Sequence, residues 1–187
     1  KYYAEAQRLA AEGRLKEAQT LIEDHMEGEF SECYLPMGDM YIQHDIEGDV
    51  QNYTRLLDMR SGLNICEFDA GDAHFKRTSF ISYPDQVMVM FIESSKPGSV
   101  NFSAQFESQL RSDIIAEGSA ICADLRAPSC AKPVYVDEKD AVTYSDDPEK
   151  MGIRCRAVIS ASADGGNISS ADGRINVSGA DSAMIVI

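Results

Sequence analysis

Histidine side chains could bind a metal ion in this sequence, but the three of them are scattered. They are His25, His44 and His74, and none belongs to a His-x-His or His-Glu-x-x-His pattern. His44 stands beside Asp45, but two adjacent ligands need further partners from the fold to hold a metal. We expect His44 to be an outward-facing strand residue, and we predict no metal site and no cofactor.

Cysteine side chains could act as nucleophiles or form disulfides. Cys130 and a distant histidine could form a nucleophilic pair, but no local motif supports one. The cysteines are odd in number, and no Cys-x-x-Cys pair occurs. This pattern favours free thiols in a reducing compartment, and hence a cytoplasmic protein over a secreted one. The cysteines are Cys33, Cys66, Cys122, Cys130 and Cys155.

Other catalytic motifs are missing from the sequence. No Gly-x-Ser-x-Gly elbow occurs. The segment Asp164-Gly165-Gly166-Asn167 lacks the lysine and the following helix of a phosphate-binding loop, so we expect a turn there. A glycosidase needs two facing carboxylates, but composition cannot show which ones face each other. We therefore predict no catalytic residue and no cofactor-binding residue in this chain.

The charge balance restricts the partners. The chain carries 31 Asp and Glu against 17 Lys and Arg, for a net charge of −14. Nucleic acids and anionic membranes are disfavoured, because binding them requires clustered basic residues. Neutral sugars remain possible, although tryptophan is absent. Tyrosines that could stack on a sugar are Tyr34, Tyr41, Tyr53, Tyr83, Tyr135 and Tyr144.

The overall composition predicts a folded domain. Of the 187 residues, 44% are hydrophobic, which is enough for a core. The longest apolar run, Val87 to Ile92, has the length of a strand and not of a membrane helix. The chain starts within a helical pattern at Lys1 and stops on an apolar run, Ala183 to Ile187. We expect a fragment of a larger protein, because an exposed hydrophobic end strand invites aggregation.

Residues 1 to 28 have a helical pattern, and the rest of the chain has a strand pattern. Gly13 interrupts the apolar spacing of the first segment, so we expect two short helices or one kinked helix. The stretch Ala127 to Lys150 contains three prolines and is expected to be a long acidic surface loop with an edge strand at Val142 to Tyr144. Expected strands are 39–45, 53–59, 63–68, 73–82, 86–93, 100–106, 153–163, 174–178 and 183–187, and residues 114–123 are expected to form a strand pair around Glu117-Gly118.

These patterns predict a mainly β fold: an antiparallel β-sandwich, supersandwich-like, with a short N-terminal helical segment. We expect one domain, 1–187, on which the helical insertion 1–28 packs. The acidic residues Asp137, Glu138 and Asp140 do not have the spacing of an EF-hand calcium loop, so a solvated loop is expected there.

Seven short segments follow one another in a characteristic order. The most specific of them are Leu35-Pro36-Met37-Gly38-Asp39 and Ser82-Tyr83-Pro84-Asp85-Gln86-Val87. The others are Glu12 to Gln19, Tyr53 to Met59, Ala127 to Ser129, Met151 to Ile153 and Val177 to Asp181. In this order they resemble glycoside hydrolase family 95, the inverting α-L-fucosidases. The resemblance implies the N-terminal β domain of a larger enzyme whose helical barrel carries the catalytic residues. No catalytic residue of the family has a position in this chain.

The resemblance also implies partners: the protein's own catalytic domain, which this domain would brace, and a fucosylated glycan as substrate of the parent enzyme. An α-L-galactosidase relative is a further possibility. Cys130 stands where the family often has histidine. We expect the segments Tyr34 to Tyr41 and Ala127 to Tyr144 to face the barrel, with Leu35-Pro36-Met37 exposed.

Two alternatives of a different class remain open. A stand-alone carbohydrate-binding sandwich would have a shallow groove lined by tyrosines. A purely structural or interaction domain would dimerise through an open edge at Ile185 to Ile187. On every one of these hypotheses the chain by itself is expected to be inactive as an enzyme.

Overall fold

The computed structural model describes residues 1–28, 31–133, 135–136 and 139–187. It divides into two compact units, which are Lys1–Tyr34 with Cys130–Val142, and Leu35–Ser129 with Thr143–Ile187. Among the described residues, no helix has both the length and the apolar character needed to cross a membrane.

The first unit contains the two predicted helices. Helix α1 spans Tyr2–Ala11 and helix α2 spans Leu15–His25. Gly13 lies between them with a φ of +76°, a backbone conformation that glycine adopts without steric cost. Its N–H donates to the carbonyl of Ala10 at 3.1 Å, which ends α1 in the way that a C-terminal glycine normally does. The prediction of two short helices separated by Gly13 is confirmed.

The second unit is an antiparallel β-sandwich, as predicted. Its ten-stranded sheet divides into two layers because two long strands, β11 and β12, belong to both. The strands of the chain are β1 Asp39–His44, β2 Val50–Asp58, β3 Leu63–Ala70, β4 Ala73–Ser82, β5 Val87–Ser94, β6 Val100–Glu107, β7 Arg111–Glu117, β8 Ala120–Arg126, β9 Cys130–Ala131, β10 Val142–Thr143, β11 Arg154–Ala171 and β12 Arg174–Val186.

The large layer has the order β2-β3-β4-β5-β12-β11-β8-β7. The small layer contains β1, β6, the first part of β12 and the last part of β11. Strand β12 pairs with β6 from Arg174 to Ala180 and with β5 from Ser182 to Val186. The hairpin of β11 and β12 thus passes from one layer into the other.

A bulge makes this passage possible and replaces the turn expected at 164–167. The pairing register of β11 shifts between Asp164 and Gly165, so the strand bends but continues. Gly166 has a φ of +64°, and a Cβ there would lie 2.3 Å from the carbonyl oxygen of Ser178. The prediction of a turn was wrong because a run of glycines suits a tight β-bulge as well as a turn.

The expected open edge at Ile185 to Ile187 was also wrong. Ile185 is only 1% exposed, and β12 lies between β5 and β11 in the large layer. The N–H of Ile187 donates to Met88 at 2.9 Å, and the N–H of Met88 donates back at 2.9 Å. An apolar chain end is therefore paired on both sides, and it offers no edge for dimerisation.

The core lies between the two layers. Alternate residues of β6 are buried, and so are alternate residues of β8. Because side chains in a strand point to opposite faces in turn, the other half of each strand lies on an outer face. The most deeply buried side chains are Ile92, Val100, Ile121, Ile159, Ile175 and Ile185.

Candidate functional surfaces

The Leu35-Pro36-Met37 segment was expected to be exposed, and two of its three residues are. Leu35 packs against the core, whereas Pro36 is exposed and the exposed fraction of Met37 is 42%. The hydroxyl of Ser108 donates to the carbonyl of Met37 at 2.7 Å. The segment is therefore anchored by its first residue and by its backbone, which leaves two apolar side chains facing solvent.

Gly38 follows this segment because no side chain fits there. A Cβ at Gly38 would lie 2.3 Å from the ring of Phe106 and 2.5 Å from the carbonyl oxygen of Glu107. Strand β1 starts at the next residue and pairs Asp39 with Glu107. The glycine in this motif thus permits close packing of β1 on the end of β6, which is a structural role.

Two further segments of the sequence, Ala127 to Ser129 and Met151 to Ile153, contact each other. A Cβ at Gly152 would lie 2.1 Å from the carbonyl oxygen of Ala127 and 2.4 Å from that of Pro128. The N–H of Ala127 donates to Ile153 at 2.9 Å. Because only glycine allows two backbones to approach so closely, these motifs are paired by packing at the end of β8. Neither of them supplies a reactive side chain.

The predicted loop Ala127 to Tyr144 contains two short strands. Strand β9 pairs with β10, and β10 lies close to the edge strand expected at Val142 to Tyr144. The hydroxyl of Ser129 donates to the carbonyl of Thr143 at 3.0 Å. Cys130 is half-buried at the start of β9. Asp137 and Glu138, two of the three acidic residues singled out in this loop, lie outside the described residues.

The histidines occupy three unrelated environments. The ring of His25 stacks on Tyr2 at a centroid distance of 4.2 Å, and Nδ1 of His74 lies 2.7 Å from a carboxylate oxygen of Asp69. No group of three or more potential metal ligands occurs in the part of the chain that the structure describes. Cys33, Cys66, Cys122 and Cys155 are free thiols.

His44 was expected to point outward, but it points inward. It shares the inner face of β1 with Met40 and Ile42, and its ring lies 5.9 Å from that of Phe102. Burial, together with the positive charge of Arg77, lowers the pKa of His44 to about 4, because both disfavour the protonated ring. The guanidinium of Arg77 lies 3.4 Å from Nε2 of this ring. His44 is therefore a neutral internal residue at neutral pH.

The outer face of the small layer is polar. Cross-strand pairing places Tyr41, Gln105 and Arg174 in one row. The next row contains Gln43, Ser103 and Asn176. We call these six residues the polar outer face. Five of them, with Ile42 and Glu107, line a shallow depression of about 530 Å³. Tyr41 is the tyrosine of this depression, so the several tyrosines expected of a sugar-binding groove are not gathered here.

The outer face of the large layer carries hydrophobic residues on five strands. One row contains Leu56, Ile65, Phe91 and Met184, with Thr78 between them. A second row contains Phe80, Val89 and Val186. We call these seven hydrophobic residues the apolar outer face. Leu56 is 58% exposed, Phe80 37% and Met184 38%, so the described part of the chain leaves this surface open to solvent.

Arginines border the same layer at its other edge. Arg111, Arg126 and Arg154 stand opposite one another on three neighbouring strands. Arg126 donates to a carboxylate oxygen of Asp146 at 2.8 Å, and the guanidinium of Arg111 lies 4.3 Å from the centre of the Tyr144 ring. These contacts disperse part of the positive charge, since like charges placed opposite each other in a sheet repel.

Comparisons with known proteins agree with this architecture. The family model described as "Glycosyl hydrolase family 65, N-terminal domain" matches residues 1–187. Alpha-L-fucosidase 2 of Arabidopsis thaliana is 28% identical over 191 residues, which cover 98% of this chain and 22% of that protein. The chain therefore spans about a fifth of the length of this relative. Over its whole length, the chain belongs to the family of glycosyl hydrolase family 65 N-terminal domains.

Proposed function

We propose that this chain is the non-catalytic N-terminal domain of a glycoside hydrolase resembling the inverting α-L-fucosidases of family 95. In this proposal it braces the catalytic barrel and helps to shape the substrate cleft. The similarity to a protein named Alpha-L-fucosidase 2 supports the substrate class. The order of the seven sequence segments supports the same assignment.

The apolar outer face is the observation that carries the docking role. Its seven hydrophobic side chains form two rows on adjacent strands, and at least three of them are more than a third exposed. An apolar patch of this kind marks an interaction site on soluble proteins, because burying it gains about 25 cal/mol per Å² of apolar surface. The proposed occupant is the remainder of the same polypeptide, since the relative extends far beyond the matched 22%.

The exposed Pro36 and Met37 are a second proposed contact with the barrel. They are apolar, and their backbone is anchored through the carbonyl of Met37. A surface loop that is anchored in this way costs little conformational entropy when it is buried at an interface. The loop Ala127 to Tyr144 is proposed to face the barrel as well.

The catalytic residues are proposed to lie in the barrel. Inversion requires an acid and a base about 6.5–9.5 Å apart, with room for one water molecule. The pKa of two described carboxyl groups is lowered by neighbouring side chains: that of Asp69 by Asn52 and His74, and that of Asp72 by Lys96. A general acid needs the opposite, a raised pKa.

We also propose that the protein works in a reducing compartment.

Hydrolysis of an α-1,2-fucosylated oligosaccharide tests this proposal. The 187-residue chain and the full-length protein are assayed side by side for released fucose. We expect release by the full-length protein only. Release by the chain alone would contradict the non-catalytic role. If neither protein releases fucose but the full-length protein cleaves an α-L-galactoside, the domain role stands and the substrate assignment is wrong.

A further inference from the structure

We propose that the polar outer face binds a neutral saccharide. This inference goes beyond the docking role and does not depend on it, because the polar outer face lies on the small layer and the apolar outer face lies on the large one. It names a ligand class for a surface that the docking role leaves unused.

The side chains of this surface are held in place by three strands. Strand β6 lies between β1 and β12, and its core residues Phe102 and Ala104 are 3% and 1% exposed. The alternating residues Ser103 and Gln105 therefore point outward. Buried neighbours on both sides make the backbone rigid, so that the polar groups keep a fixed spacing, as a preorganised site requires.

Most polar groups of this surface have no partner in the described part of the chain. The one side-chain hydrogen bond there runs from Nε2 of Gln105 to a carboxylate oxygen of Glu107 at 2.5 Å. Tyr41, Gln43 and Arg174 have no side-chain hydrogen bond or ion pair among the described residues. Their donors and acceptors are therefore available to a ligand.

The chemistry of these groups fits a saccharide. An amide offers a donor and an acceptor side by side, and a guanidinium offers paired donors, so both can bind two adjacent hydroxyl groups. Tyr41 is 50% exposed, and an aromatic ring with a free face can stack on the C–H side of a sugar ring. The depression of about 530 Å³ falls within the usual range for ligand sites, about 300–1,000 Å³.

Other ligand classes fit this surface less well. Arg174 is its single cation and Glu107 borders it as an anion, so the depression is close to neutral and does not select a multiply charged ligand. A protein partner would need apolar area at the centre of its contact, and Tyr41 is the only large apolar group that projects from the polar outer face. Polyhydroxylated neutral ligands remain.

Calorimetric titration of the 187-residue chain with an α-1,2-fucosylated trisaccharide tests the proposal. We expect saturable binding in the millimolar range. The variants Tyr41→Ala and Arg174→Ala should each weaken it about tenfold, which corresponds to about 1.4 kcal/mol. Tyr83→Ala is the matched control, because Tyr83 is 84% exposed in the turn between β4 and β5. Circular dichroism establishes that each variant is folded.

Each result of this titration decides the matter. The absence of binding at a trisaccharide concentration ten times the expected dissociation constant would overturn the proposal. Binding that is as strong in Tyr41→Ala and Arg174→Ala as in the wild type would overturn it as well. Equal binding of an unfucosylated trisaccharide would support a neutral saccharide without selection for fucose. If the chain does not fold alone, a thio-linked fucoside that resists hydrolysis is titrated into the full-length protein, where Tyr41→Ala should remove one of two binding sites and leave the other.

The outcome is separable from that of the hydrolysis assay. A full-length enzyme that releases fucose while the chain binds no sugar would sustain the proposed function and overturn this inference. A chain that binds sugar in a protein without hydrolase activity would do the reverse.

Discussion

The two outer faces of this sandwich have the same backbone geometry but opposite chemistry. Both consist of side chains on the outward side of strands, and the inward side chains of most of these strands belong to one of two buried hydrophobic clusters. The small layer exposes amides, a hydroxyl, a tyrosine and an arginine, whereas the large layer exposes rows of aliphatic and aromatic side chains. Packing of the core explains neither surface, because both sets of side chains point away from it. An apolar surface favours permanent burial, and a polar one favours reversible exchange with water.

Breaking the connection between the layers should disrupt both faces and have the largest effect. Valine at Gly166 would meet backbone atoms at 2.3 and 2.6 Å and would have to adopt a φ of +64°. We expect Gly166→Val to lower the free energy of unfolding by about 3–5 kcal/mol, through overpacking and backbone strain. Urea denaturation measures this change.

The matched control is Gly173→Val in the turn between β11 and β12. Gly173 has a φ of +72°, but no atom lies within 4 Å of a Cβ placed there. It should cost only about 1 kcal/mol, from backbone strain. If the two variants are equally stable, the bulge does not hold the layers together.

Acidification should act on the small layer through His44, which lies on the inner side of the strand that carries Tyr41. The pKa of His44 is lowered from 6.5 to about 4 in the folded protein, so the unfolded chain binds its proton first as the pH falls. Stability is therefore complete above pH 6.5 and declines as the pH falls towards 4, by about 3 kcal/mol for this residue.

His44→Gln should remove this part of the pH dependence while keeping a hydrogen-bonding group beside Arg77. The measurement is chemical denaturation at several pH values between 4 and 7, with wild type and variant compared. An identical decline in both proteins would show that His44 does not control the acid stability.

A charge introduced on the apolar outer face should lower the stability of the full-length protein, whereas a charge on the polar outer face should leave it unchanged. Leu56→Glu should change the stability of the isolated chain by less than about 0.5 kcal/mol, since Leu56 is 58% exposed. In the full-length protein it should cost at least about 2 kcal/mol, because the docked barrel would bury the carboxylate.

Tyr41→Glu on the polar outer face is the control for this experiment and should leave the stability of the full-length protein unchanged. Thermal unfolding of Leu56→Glu and Tyr41→Glu, each in the isolated chain and in the full-length protein, measures the change in stability relative to the wild type. Equal effects of the two substitutions would mean that the apolar outer face is not the docking surface.

The smallest effect is expected from the ion pair between β8 and β11 in the large layer. Arg156 donates to both carboxylate oxygens of Asp124 at 2.6 and 2.7 Å, and this contact lowers the pKa of Asp124. Both side chains are exposed, so Asp124→Asn should change the melting temperature little at physiological salt. A large loss of stability would indicate that Asp124 and Arg156 are buried by a part of the protein beyond the described residues or by a partner.

Local sequence patterns predicted most of the elements correctly. Alternation of apolar and polar residues located β1, β4 and β6 within a residue or two of their observed ends, and Gly13 marked the break between the helices. The hairpin turn after Ala70 follows from Gly71, which has a φ of +59°. In each of these places the decisive interaction joins residues that are close in the chain.

Errors occurred where distant residues decided the outcome. The glycines at 164–167 were expected to form a turn, but β11 continues because Ser178 to Ala180 of the neighbouring strand accommodate the bulge. His44 was expected to face solvent, but pairing of β1 with β6 turns it towards Phe102. The residues of the polar outer face were missed as a group, since register across three strands brings them together.

The sequence by itself determined the β class, the helical start, the membership of a family of glycosyl hydrolase N-terminal domains and the lack of a familiar catalytic motif. These properties depend on residue type and on short spacing. The tertiary structure decided that the chain's last strand is central, that β11 and β12 join the two layers, and that one outer face is polar and the other apolar. The physical reason is that strand register is a long-range property, because each cross-strand neighbour is chosen by packing of the shared core.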